Sequence, residues 1–162
     1  MKNILHIMLK KEPEVKKMSL LQFRAWVKPD ILINHLNGVI AEALPNFIYD
    51  HCLVLREDLE EDKQFEEILD FLDIDLMQST GLKDKNSIEI FEGDIVLVNV
   101  SNGFDHLVNE KTVVQESEFH SGLICKSLAS GMEHRVFKHK KMDYEYEVIG
   151  NIYENSELLE EQ

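Results

Sequence analysis

Leu76-Met77-Gln78-Ser79-Thr80-Gly81-Leu82-Lys83-Asp84-Lys85-Asn86-Ser87-Ile88-Glu89-Ile90-Phe91-Glu92-Gly93-Asp94-Ile95-Val96-Leu97-Val98 reads as three extended segments joined by two tight turns. Ile88 and Ile90 alternate with Glu89, the pattern of a strand with one face buried. Glu92-Gly93-Asp94 interrupts it, because Gly93 can take a positive φ and Asp94 can bond its own backbone to hold a bend. Residues 95–100 then run almost continuously aliphatic, which predicts a central strand covered on both faces.

Working outward, residues 20–27 predict a first strand with Phe23, Ala25 and Val27 on one face and Arg24 and Trp26 on the other. Trp26 reads as a packing residue in or beside the core. Residues 31–44 carry two signals. Leu32, Leu36, Val39, Ile40, Ala43 and Leu44 sit at helical spacing, whereas Asn37-Gly38 is a hairpin turn. Ala41-Glu42-Ala43-Leu44 before Pro45 tips the expectation toward a helix. A strand is expected over 47–55. From 56 to 75, ten acids face two bases, and Phe65, Ile68, Leu69 and Leu72 recur at i, i+3, i+4 and i+7. That spacing predicts an amphipathic helix over 62–72, with Asp58 or Asp62 as its cap. Further strands are expected at 111–115, 119–128, 134–139 and 144–153, with turns at Asn102-Gly103 and Ser130-Gly131. Asn155 is placed to cap a last helical turn carrying Leu158 and Leu159.

The formal net charge of −14 over 162 residues argues against nucleic acid and against an anionic membrane surface as partners. No apolar run reaches the ~18 residues that a membrane-crossing helix needs. Residues 4–9 are too short and polar-flanked for a signal peptide, so a cytoplasmic protein is expected. Cys52 and Cys125 lack metal or redox spacing and read as two reduced thiols. The seven histidines are dispersed, and His134 and His139 would fall on opposite faces of one strand, so no metal or other cofactor is expected. The seven glycines form no phosphate-binding loop, and Ser121-Gly122 and Ser130-Gly131 lack a hydrolase elbow. Arg135, Lys138, Lys140 and Lys141 form a basic run that reads as a solvated strand edge.

Three blocks of the chain resemble the YopX-like family of phage and prophage proteins. The first is Phe23-Arg24-Ala25-Trp26. The second joins Leu76-Met77-Gln78, Thr80-Gly81-Leu82-Lys83-Asp84-Lys85-Asn86 and Glu92-Gly93-Asp94-Ile95-Val96. The third is Val148-Ile149-Gly150-Asn151-Ile152-Tyr153-Glu154-Asn155 with Glu157-Leu158-Leu159. Ser87 stands where the family usually has Gly, and Ser156 where it usually has Pro; the first weakens the turn. The resemblance implies a fold and a phage context, with no biochemical activity to carry over. It gives Thr80, Gly81, Asp84, Asn86, Gly93, Asp94 and Gly150 as structural turn residues of the motif.

The expected architecture is mainly β: a bent, partly open SH3-like barrel with one or two helices from 31–73. It forms a single domain over 18–162, with 31–73 a variable insertion and 74–159 the family-like core. Residues 1–17 are expected as a translated leader before a natural start at Met18, or else as a short N-terminal helix. Three functional classes follow. A non-enzymatic module would dock on a host or phage protein through an acidic surface at Glu60, Glu61, Glu66, Glu67 and Asp70. An enzyme, acting on small polar substrates or nucleic acid, would use the turn carboxylates Asp84, Glu92 and Asp94. A structural protein would self-associate.

Overall fold

A computed structural model describes residues 22–29, 38–57, 59–63, 67–134 and 143–160. The strands are β1 (Phe23–Val27), β2 (Val39–Asn46), β3 (His51–Val54), β4 (Glu67–Asp70), β5 (Ile74–Lys83) and β6 (Glu89–Phe91), followed by β7 (Asp94–Ser101), β8 (His106–Glu116), β9 (Leu123–Ser127), β10 (Glu133–His134) and β11 (Glu145–Asn151). They form a six-stranded sheet in the order β4-β3-β2-β1-β5-β6 and a five-stranded sheet in the order β10-β9-β8-β7-β11. Every pairing is antiparallel. The mainly β class holds, but the sheets stay open and do not close into a barrel among the described residues.

The quoted stretch positions everything else. Ile95, Val96, Val98 and Val100 are buried, as a strand flanked by β8 and β11 requires. In β6 only Ile90 is fully buried; Ile88 falls in the preceding loop and is half exposed. In β1, Ala25 and Val27 are fully buried on one face, while Arg24 and Trp26 point to the other. Trp26 is half-buried and stacks on Tyr153, ring centroids 5.3 Å apart. Two apolar clusters form, and the second is shared between the sheets through Ile90 of β6. One gathers Ala25, Val27, Ala43, Cys52, Val54, Leu69 and Ile74, and the other Ile90, Val96, Val98, Val114 and Cys125.

Three expectations are corrected. Where residues 31–44 were expected to be helical, 39–46 form β2, because β1 and β3 pair with it on both sides and override the helix preference of Ala41-Glu42-Ala43-Leu44. Of the Asn37-Gly38 turn signal, only Gly38 lies among the described residues. Gly38 adopts φ +71°, and its N–H donates to the Val27 carbonyl, opening the β1–β2 pairing. The helix expected over 62–72 is replaced by a 3-10 turn over Glu61–Lys63, strand β4, and a second 3-10 turn over Phe71–Asp73. In β4, Leu69 enters the core and Ile68 faces solvent, so two-residue alternation wins over helical spacing. Asn155 does precede a 3-10 turn, Ser156–Leu159, but its side chain does not cap it. Its Oδ1 accepts the Asn151 N–H instead. The strand expected at 134–139 and the basic run at Arg135, Lys138, Lys140 and Lys141 lie outside the described residues beyond β10, as do residues 1–17.

Candidate functional site

The residues of the quoted stretch converge where the two sheets meet. Asp84 is buried and its carboxylate works as a three-way acceptor. Oδ1 takes the N–H groups of Asn86 (2.8 Å) and Ile88 (2.9 Å), closing the β5–β6 turn. Oδ2 takes the N–H of Val148 (2.9 Å), on β11 of the other sheet. Burial alone would push the Asp84 carboxyl up. The N–H donors of Val148, Ile88 and Asn86, together with the Lys85 charge, outweigh that and hold it below the usual carboxylate range. Lys85 fastens the same junction. Its N–H donates to the Tyr146 carbonyl at 2.9 Å, and its Nζ lies 3.0 Å from the Glu147 carboxylate.

A second tie crosses at Asp94. Arg24 Nη2 sits 2.5 Å from Asp94 Oδ1, and Oδ2 accepts the Phe91 N–H at 2.8 Å. The guanidinium also lies over the Phe91 ring, 4.6 Å from its centroid. Burial nevertheless outweighs the Arg24 charge and raises the Asp94 carboxyl above its ordinary value. Glu92 is raised as well, again chiefly by burial, and accepts the Gln78 N–H.

Gly93 shows why this bend needs glycine. Its φ is +86°, and a Cβ there would lie 3.0 Å from Met77 Sδ. Gly81 also has a positive φ, +76°, beside Thr80, whose Oγ1 donates to the Ile90 carbonyl at 2.8 Å. Gly150 is needed for space rather than φ. A Cβ would sit 2.6 Å from Asn155 Oδ1, at the bulge where β11 shifts register against β7. Asn86 contributes only its backbone N–H here, and its side chain is exposed.

On the Arg24 side of the six-stranded sheet lies an open groove of about 890 Å3. Ile40, Leu55 and Phe91, all half-buried, supply apolar lining, while Val39 and Ala41 border the groove from the strand and pack against the cluster on its other face. Glu42, Glu57 and Glu154 are exposed at the groove, and Glu89 is half-buried there. Among the described residues Arg24 is the one cationic lining residue, and Asp94 already binds it. The register Arg24↔Glu42 explains the juxtaposition, since it puts both side chains on the same sheet face. None of Asp84, Glu92 and Asp94 lines the groove.

The acidic residues singled out from the sequence are not equivalent. Glu60 is exposed. Glu67 is half-buried and holds Arg56 at 2.7 Å, and Asp70 accepts the Leu72 N–H at 2.8 Å to start the 3-10 turn. Glu61 begins the earlier 3-10 turn, and Glu66 lies outside the described residues. Sequence spacing missed Glu42, Glu89 and Glu154, which only strand pairing brings together with Glu57; Arg24 and Glu42 at matched distances from the β1–β2 turn were the available signal.

Cys52 and Cys125 are both free and buried, and burial pushes their thiols up to about 11 and about 12, far from a reactive thiolate. Among the described residues no three of His, Cys, Asp and Glu group to hold a metal ion, and no helix is long and apolar enough to cross a membrane.

A family model described as YopX protein matches residues 22–160. The crystal structure of protein EF1440 from Enterococcus faecalis is similar to the chain in fold, with a TM-score of 0.55 and 24% sequence identity. The match covers 87% of this chain and 99% of that one. No curated protein matches it.

Proposed function

We propose, for a chain that belongs to the YopX protein family, an accessory binding module without enzymatic activity that docks on a host or phage protein through an acidic surface in the bacterial cytoplasm. The observation that carries this reading is the groove beside Arg24, where Glu42, Glu57, Glu89 and Glu154 surround apolar lining and Arg24 is already paired with Asp94. The overall charge of −14 supports it, since a uniformly negative field favours encounter with basic protein surfaces. The turn carboxylates have other work. Asp84 accepts three backbone donors and Asp94 holds Arg24, so the groove's negative charge comes from other acids, the exposed Glu42 and Glu57 with Glu89 and Glu154 beside them.

The test is retention from a host-cell lysate on the immobilised protein at low and moderate salt. The comparison variant changes the exposed groove acids Glu42 and Glu57, together with Glu60, Glu61 and Glu66, to Gln, which leaves the Arg56–Glu67 pair and the Asp70 turn intact. A protein retained by the wild type at low salt, released at moderate salt and lost by the variant is the expected result. Identical retention by both proteins at both salts would remove the acidic surface as the docking site.

A further inference from the structure

Resting on that reading, we infer that the groove takes an extended segment of the partner in which arginine side chains alternate with apolar ones. The groove's volume of about 890 Å3 suits a few side chains rather than a whole domain face. Its lining asks for two chemistries at once. Ile40, Leu55 and Phe91 offer half-buried apolar surface against which an aliphatic stem or a leucine can lie. Glu42 and Glu57 offer exposed carboxylates that no ion pair neutralises among the described residues, and a guanidinium meets a carboxylate through two parallel N–H bonds. Arg24 contributes no free positive charge, because Asp94 Oδ1 lies 2.5 Å from its Nη2. A phosphate or carboxylate ligand would therefore meet net repulsion. Glu57 also belongs to the acidic segment of residues 56–75, so that segment begins at the groove.

The probe is the peptide N-acetyl-Leu-Arg-Leu-Arg-amide, titrated into the full chain and followed by backbone amide shifts. Its citrulline counterpart keeps the shape and removes the charge. The inference expects saturable shifts at residues 39–42, 55 and 89–91, with the citrulline peptide about tenfold weaker. The exposed double variant E42Q/E57Q should weaken the arginine peptide about fivefold while leaving the spectrum of the free protein otherwise unchanged. Saturable shifts centred on 60–70, abolished by neutralising Glu60, Glu61 and Glu66 but untouched by E42Q/E57Q, would overturn the groove assignment and leave acidic docking standing. Equal affinity for the two peptides, or no saturable shift at millimolar peptide, overturns the inference outright; the lysate experiment then judges the acidic surface separately.

Discussion

Asp84 and Asp94 sit ten residues apart on either side of one bend, yet their environments push their carboxyls in opposite directions. Three N–H donors favour the charged form of Asp84, whereas burial disfavours that of Asp94 despite Arg24. By linkage, the lowered Asp84 value contributes stability that is fully present above the ordinary carboxylate value of about 4 and is lost as pH falls through the folded value. Asp94 runs the other way, and its contribution rises as pH falls from its raised folded value toward the ordinary one. Asp84→Asn, which leaves at least one buried N–H facing an amide donor, should cost about 2 kcal/mol. Asp94→Asn should cost less. Denaturant midpoints between pH 2 and 7 should show the wild type losing stability below pH ~4 more steeply than Asp84→Asn; parallel curves would refute the assignment. Ser87 is a second residue-scale case. It holds φ +64° in the left-handed region, where a side chain is strained and glycine is not. Ser87→Gly should therefore stabilise the protein by about 0.5–1 kcal/mol after the added freedom of the unfolded chain is counted, read as a higher midpoint at unchanged slope.

At the scale of elements, Gly150 and Asn155 form a matched pair, one supplying the space that the other fills. Gly150→Ala should cost about 1–3 kcal/mol through overpacking. Combining it with Asn155→Gly should cost less than the two single changes added together, because the clash goes only with the whole Asn155 side chain, whose Cβ alone would lie 2.9 Å from the new methyl. Additive costs in a double-mutant cycle would show that the contact does not limit the site. Elements also explain what could be read from the sequence. Strand β7 was legible because Val96, Val98 and Val100 are buried on one face and Ile95 on the other, although Leu97 and Asn99 are only half-buried and the second face is less covered than the aliphatic run predicts. The turn at Gly93 was legible because its φ demands glycine. Strand β2 was not, since Ala41-Glu42-Ala43-Leu44 is a strand only while β1 and β3 flank it. For β4, four residues are too few for alternation to outweigh the helical spacing of Phe65, Ile68, Leu69 and Leu72. The groove was illegible for a similar reason, as its acids come from β2, β6 and the segments after β3 and β11, which no local spacing relates.

On the scale of the whole molecule, the two sheets share the apolar cluster that Ile90 of β6 enters, and a set of further contacts ties them: Asp84 to Val148, Lys85 to Tyr146 and Glu147, Arg24 to Asp94, and the Trp26–Tyr153 stack. Acid that protonates Asp84 should loosen this junction before either cluster. Trp26 emission should then report a transition at higher pH than the far-ultraviolet dichroism of the strands; coincident transitions would mean that the sheets part only by unfolding together. The place of β1 in the six-stranded sheet has a consequence for synthesis on the ribosome. It lies between β2, which follows it closely, and β5, which begins only at Ile74. At roughly 5–20 residues per second, the nascent chain waits several seconds between completing the first partner and delivering the second. Through that interval the Phe23–Val27 strand is an open edge, the kind of template on which a neighbouring nascent chain can pair. The arrival of β5 both completes the sheet and closes that window.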